Sequence, residues 1–257
     1  MGTSELASDS GVPQVSGFTA RTQVAAPASV LPPIRLADGT VEALKWLALV
    51  LMTLDHVDKY LLHEAARPLF DLGRLALPLF GLVLAYNLAR YGALERGVYA
   101  RLAGRLAVVA AIAELPFIAL GGLAWGWYPF NILVALLIAT SIIWCLDAGG
   151  PWRITLAVVL FIIGGALVEF WWPGLAMCVA AWFYCRRPSW WALAIWIGAT
   201  AALYMINGNL WALAAFPIIF YAPHTICRIP RIRWAFYTYY PTHLAAIWVL
   251  STWMGRR

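Results

Sequence analysis

The sequence predicts an all-α protein, a polytopic bundle of transmembrane helices with about nine spans, eight and ten being the alternatives. Three observations predict it. Hydrophobic side chains supply 63% of the 257 residues and charged ones 12%, whereas a soluble globular domain is only about half apolar. Mean hydropathy is +0.77. Fifteen Trp and eleven Tyr suit the two interfaces of a bilayer, where amphipathic rings sit at headgroup level.

Residues 1–40 are rich in Ala, Ser, Thr, Pro and Val and contain neither an apolar run nor a cleavage pattern, so they read as a disordered cytoplasmic tail with no removable signal. Residues 41–257 then form the membrane domain. Its apolar runs follow in close order at 43–62, 74–91, 102–122, 129–146, 154–169, 173–185, 189–206, 210–223 and 234–253. The runs at 173–185 and 210–223 fall short of the ~20 residues that cross the hydrocarbon core, and fit tilted pairs, half-helices or re-entrant segments.

Basic residues sit between these runs. An inside tail puts Arg90, Arg96, Arg101, Arg105, Arg153, Arg186, Arg187, Arg228, Arg231 and Arg233 all on the cytoplasmic face, and leaves mainly Lys59, Arg67, Arg74, Arg256 and Arg257 opposite. The net charge of +6 therefore reads as topology, and no nucleic-acid partner is expected. Cys145, Cys178, Cys185 and Cys227 stand singly, as packing residues do, and the four His are too scattered to suggest a metal. No repeat of fixed period is visible, which makes a transporter built on inverted halves the less favoured class.

Charged side chains inside a span cost about 2.5 to 3.5 kcal/mol each at the helix centre, so those retained tend to face the bundle interior and mark a site or pathway. In LKWLALVLMTLDHVDKYLL, Leu44 to Leu62, Asp55 and His56 interrupt a run otherwise fit for mid-bilayer. Lys45 and His56 are eleven positions apart, which at roughly 100° per residue returns to within about 20° of one face, about 16 Å along. One stripe thus carries a cation and an imidazole. Asp55 points about 100° away from His56, so either it or a partner on another helix orients the ring. The blander alternative, a solvated helix end, is opposed by Val57, Tyr60, Leu61 and Leu62, which continue the apolar face.

The second span opens with Gly73, Arg74 and Pro78 and carries Asn87 deeper within. Arg74 either snorkels to an interface or waits as a fixed cation for an anion. Arg101 and Arg105 lie one turn apart on one face, as topology anchors or as phosphate ligands. Glu114, ahead of Leu115 and Pro116, is deeper. Asn131, Glu169, Asn207 and Asn209 sit at span ends where water can serve them. The last span begins YTYYPTHL: Tyr237, Tyr239 and Tyr240 suit an interfacial belt, but an anchor has no need of His243.

No P-loop, Rossmann glycine fingerprint or HExxH zinc motif is present. An imidazole in a helical bundle, an acid beside it and several arginines on one side suit a general base acting on an acyl transfer from an anionic carrier. The same set suits a proton relay.

The segments LKWLALVLMTLDHVDKYLL, GRLALPLFGLVLAYNLAR, RLAGRLAVVAAIAELPF, FNILVALL and YYPTHLAAIWVL, in that order, resemble the TraX family, whose best-known member acetylates the N-terminus of conjugative pilin. The resemblance runs from about residue 40 to 253. TraX proteins in turn resemble the membrane acyltransferases that use acetyl-CoA, which carry a basic residue ahead of an essential His in the first span; Lys45 stands where that group usually has Arg. The resemblance implies an acetyltransferase of the bacterial inner membrane, N-terminus cytoplasmic, with acetyl-CoA as acyl donor and a pilin-like protein, lipid or glycan as acceptor. It implies His56 as catalytic base, with Lys45, Arg74 and Arg105 near the acyl carrier; beside these, Asp55 is read as orienting the ring or stabilising the imidazolium, and Asn87, Glu114, Asn131, Tyr240 and His243 as further candidate binding residues. Glu114 departs from the family pattern, where Gln is expected before the Pro. The rival classes are a proton-coupled transporter using Asp55, His56, Glu114 and Glu169, and a non-enzymatic assembly factor for pilin-like subunits.

Overall fold

The computed structural model describes residues 31–121, 125–232 and 234–255. Residues 1–30 of the expected tail, and Arg233, Arg256 and Arg257 of the topology argument, lie outside the described residues. The tail's last residues are packed. Leu31, Ile34 and Leu36 are buried, the Tyr184 hydroxyl donates to the Pro32 carbonyl at 2.9 Å, and the Tyr86 hydroxyl bridges the amide and carbonyl of Leu36. Three separated apolar side chains make no run in the sequence, so composition hides this anchor.

The chain is all-helical, in the order α1 (Asp38–Leu61), α2 (Arg67–Gly73), α3 (Ala76–Ala89), α4 (Val98–Leu120), α5 (Ile132–Ala148), α6 (Pro151–Leu167), α7 (Trp171–Arg186), α8 (Trp190–Ala202), α9 (Tyr204–Asn207), α10 (Ala215–Tyr221) and α11 (Ala235–Met254). Short 3₁₀ turns, Trp211–Ala214 and Ala222–His224, flank α10. Among the described residues there is no strand, only the isolated bridges Trp125 to Tyr128 and Phe130 to Val168. Among the described residues three segments are long and apolar enough to cross a membrane: Arg67–Ala89, Val98–Leu120 and Trp190–Asn207. Ile132–Ala148, Pro151–Leu167 and Trp211–His224 are shorter apolar helices.

Two elements differ from expectation. The second apolar run is a broken helix that starts earlier, at Arg67: Pro78 has no N–H to return to the carbonyl of Arg74, and the ladder parts between α2 and α3. At 24 residues α1 has the length of a span, yet Asp38, Glu42, Lys45, Asp55, Asp58 and Lys59 make it too polar to count among the apolar three. It packs between α3 and α11 and buries Val41, Leu44, Ala48, Leu49, Leu51 and Met52.

α7 is the central packing helix, against α3, α5, α6 and α8. Leu175, Met177, Tyr184, Trp196, Leu79 and Leu82 are among its fully enclosed side chains and neighbours. Outward, Val108, Ile112 and Leu115 of α4, Val158, Ile162 and Ile163 of α6, and Val249 of α11 are exposed. An apolar belt of that extent belongs against lipid.

Polar contacts tie the helix ends into two opposite faces. At the first, Arg90 pairs with Asp38 at 2.6 Å, Tyr99 donates to Asp147 at 2.9 Å, Arg186 pairs with Asp147, and the Thr40 hydroxyl donates to the Thr225 carbonyl at 2.7 Å. This is the arginine-rich end. At the other, Asn209 donates to Asp71 at 3.1 Å, and the 130 and 168 connectors pair through Phe130 N–H to the Leu167 carbonyl and Glu169 N–H to the Phe130 carbonyl.

Candidate functional site

Along about three turns of α1, Lys45, Leu49, Met52 and His56 fall on one stripe, spaced four, three and four, so the expected shared face is realised on a regular helix. α11 runs alongside α1 and brings His243 to it. His56 Nδ1 and His243 Nε2 are 2.8 Å apart, and the two rings are parallel within 2°. His243 Nδ1 lies 3.0 Å from the carbonyl oxygen of Tyr239, one helical turn back. The Tyr239 ring lies parallel to His243 within 15°, the Tyr240 ring stands at 62° to it with centroids 5.4 Å apart, and the Tyr239 hydroxyl is 2.9 Å from the Thr53 hydroxyl of α1. Tyr240 and His243 are buried.

Asp55 does not touch the His56 ring. Its carboxylate pairs with Arg74, and Arg74 further donates to the Asn207 side chain at 3.1 Å and to the Phe70 carbonyl at 3.3 Å, with the Phe70 ring 4.2 Å from its guanidinium. Gly73 permits this: a Cβ there would sit 2.4 Å from the Asp55 Cβ. The reason is the ~100° step between adjacent helix positions, which turns Asp55 to α2 while His56 faces α11. The ring's partner is therefore His243. Asn207 and Asn209, read as water-served span ends, hold α2 instead.

A cavity of about 500 Å³ lies at the arginine-rich end; His56 and His243 are not among its lining residues, and His243 meets it through the rings of Tyr239 and Tyr240. Lys45, Arg90, Arg96, Arg101, Arg105 and Arg231 line its outer part together with Asn87; Leu49, Met52, Val83, Leu106 and Ile132 line its walls; Tyr239 and Tyr240 also border it. A pocket with six cations and an apolar body suits an amphipathic anion with a long uncharged arm. Lys45 is held by Glu42 at 2.6 Å and lies 5.1 Å over the Phe236 ring. Arg105 lies about equally near the Trp234 and Tyr237 rings. Arg74 does not line this cavity, because Asp55 and Asn207 hold it at the other end.

Glu114 and Asn131 form a separate pair. The Asn131 amide donates to Glu114 and, at 3.1 Å, to the Ala110 carbonyl, while its oxygen accepts from Leu133 N–H at 2.9 Å and caps α5. The contact locks α4 to α5, and neither residue borders the cavity. Sequence reasoning did not single out Thr53, and read Tyr239 as an interface anchor and Arg96 and Arg231 as topology residues, where the structure puts all four at the histidine pair or the cavity. Tyr239 had a signal, four positions before His243 on a helix; the charge pattern put Arg231 on the cytoplasmic face, but only the fold of the 225–232 connector brings it to Glu42 and the cavity.

No solved structure matches the chain. Among curated proteins it is similar to Protein TraX of Escherichia coli strain K12, 34% identical over 130 residues that cover 50% of this chain and 49% of that protein. A second Escherichia coli Protein TraX is 34% identical over 131 residues, with the same coverage. The aligned region thus spans about half the length of the curated relatives. The family model described as TraX protein matches residues 40–251, which include every residue of the histidine pair, the Asp55–Arg74 network and the cavity wall: the chain belongs to the TraX family.

Proposed function

We propose that this protein is an integral-membrane acetyltransferase that moves an acetyl group from acetyl-CoA to an acceptor amine or hydroxyl, with His56 as general base. The observation that carries the reading is the cavity of about 500 Å³ that begins among six cations and reaches Tyr239 and Tyr240, which touch the His243 partner of His56. Acetyl-CoA is a polyanion at one end and a slender thioester at the other, and this cavity is graded in the same way. Lys45, Arg101 and Arg105 receive phosphates, Asn87 serves the polar arm, and Tyr240 borders the acetyl group.

In the transfer, the acceptor nitrogen or oxygen attacks the acetyl carbonyl carbon while its proton passes to His56. The carbon–sulfur bond then breaks, and the departing thiolate takes the proton back. Electrons and protons balance within acceptor, thioester and imidazole. The arginine-rich end faces the cytoplasm, where acetyl-CoA is made, and the bundle lies in the bacterial inner membrane with about nine passes. The acceptor is pilin-like protein, lipid or glycan, in keeping with the family to which the chain belongs.

The test is incubation of the purified protein in nanodiscs with radiolabelled acetyl-CoA and membrane extract, for wild type and His56→Ala. Label that appears on an acceptor with wild type and falls by about 100-fold or more in the variant supports the reading. Label that survives the substitution removes His56 as base. Absence of acetyl-CoA binding by a folded wild type favours the proton relay or the assembly factor.

A further inference from the structure

The base of a proton transfer must present a bare lone pair, and a neutral imidazole has one only if its single proton is kept on the other nitrogen. In many sites a carboxylate does this by accepting from Nδ1–H. Asp55 is the nearest carboxylate in sequence, but it is engaged by Arg74 across the α1–α2 contact. What His56 Nδ1 meets is the Nε2 of a second histidine, at 2.8 Å.

That second ring has its own constraint. A backbone carbonyl has no hydrogen to give, so the 3.0 Å contact between His243 Nδ1 and the Tyr239 oxygen requires the hydrogen to be on His243 Nδ1. In a neutral His243 the Nε2 then carries only a lone pair and must accept. Its partner is His56 Nδ1, which must therefore hold the proton of His56. The hydrogen bonds run in one direction: His56 Nδ1–H donates to His243 Nε2, and His243 Nδ1–H donates to the Tyr239 carbonyl. This leaves a bare Nε2 on His56.

We infer that His243 is the positioning residue for His56: it relays the Tyr239 carbonyl through its ring and so keeps His56 as the tautomer with a free Nε2. The inference deepens the acetyltransferase reading and rests on it for its catalytic consequence, though not for the tautomer itself. The parallel rings and the flanking Tyr239 and Tyr240 keep the His243 plane from turning. When His56 Nε2 takes the acceptor's proton, the imidazolium still donates through Nδ1 to a lone pair, so the cation gains a stronger bond at the moment it forms. No net charge is added before the reaction, which a buried carboxylate would bring. His243 is thus expected to act on turnover and not on donor binding.

Two measurements test this. The first needs no activity: ¹⁵N spectra of histidine-labelled full-length protein in lipid, assigned by difference with His56→Ala, are expected to show His56 protonated at Nδ1 and bare at Nε2. A His56 signal protonated at Nε2 in the neutral state overturns the inference, whatever the enzyme does. The second is acetyl transfer by His243→Phe and His243→Gln. Phe fills the site but cannot accept, so kcat falls on the order of 100-fold with KM for acetyl-CoA unchanged. Gln retains a side-chain oxygen that accepts from Nδ1–H, and restores turnover to within about tenfold of wild type. A raised KM at unchanged kcat in both variants would make His243 a donor-binding residue and overturn the positioning role. Loss of label in His56→Ala with the expected tautomer present, or its survival there, decides the acetyltransferase reading separately.

Discussion

Gly73 and the Asp55–Arg74 pair show how a single position sets the site. The ion pair is nearly enclosed, with side chains 15% and 12% exposed, and breaking such a buried pair by removing one partner costs roughly 3 to 5 kcal/mol. It forms only because α2 comes against α1 with no side chain at Gly73. Gly73→Ala puts a methyl group 2.4 Å from the Asp55 Cβ, and overpacking of this kind costs about 1 to 3 kcal/mol. The expected outcome is a lower midpoint of thermal unfolding in detergent and slower acetyl transfer, since the displaced turn of α1 also carries His56. An unchanged midpoint would mean that the two helices yield easily here.

At the level of elements, α4 and α5 have separate tasks. Asn131 caps α5 and donates to Oε2 of Glu114, whose Oε1 has no hydrogen-bond partner. Asn131→Ala removes a cap worth ~1 kcal/mol and the side-chain donor to Glu114, leaving that carboxylate only the backbone N–H of residue 131 at 3.4 Å, at a further ~1 kcal/mol. Lowered thermal stability is expected with KM for acetyl-CoA intact in whatever protein stays folded. The first turns of α4 give the opposite pattern. Arg101 and Arg105 face the cavity, and each hydrogen bond to a charged group contributes about 1.5 to 3 kcal/mol, so Arg101→Ala or Arg105→Ala is expected to raise KM for acetyl-CoA by about 10- to 100-fold at near-constant kcat. A change confined to kcat would place the donor elsewhere.

For the whole molecule, the two tied ends fix which connectors lie on opposite sides of the proposed membrane bundle. The connector 90–97 and the start of α4 lie at the arginine-rich end, while the α1–α2 connector near Glu64 lies at the other. Cysteines introduced as Glu95→Cys and Glu64→Cys, in a background where Cys145, Cys178, Cys185 and Cys227 are replaced by Ala, are expected to react with a membrane-impermeant maleimide from opposite sides. Glu64→Cys should label in intact spheroplasts and Glu95→Cys only after lysis. Labelling of both from one side would contradict the antiparallel arrangement across a bilayer, and the reverse order would invert the orientation.

Composition and period determined a great deal here. Apolar excess with interfacial aromatics was enough for an all-helical membrane protein, because a bilayer leaves backbone groups no partner outside helices. The cost of charge in an apolar span was enough to single out Lys45, Asp55, His56 and Arg74, and helical period alone put Lys45 and His56 on one stripe. The tertiary structure decided which of these meet. That Asp55 serves Arg74 and that His243 serves His56 depends on the angles at which α2 and α11 cross α1, contacts 19 and 187 residues apart in the chain. The packing of Leu31, Ile34 and Leu36 and the approach of Arg231 to the cavity have the same origin. Local pattern reports what one helix can present, whereas partner choice is set by long-range packing that no window of sequence contains.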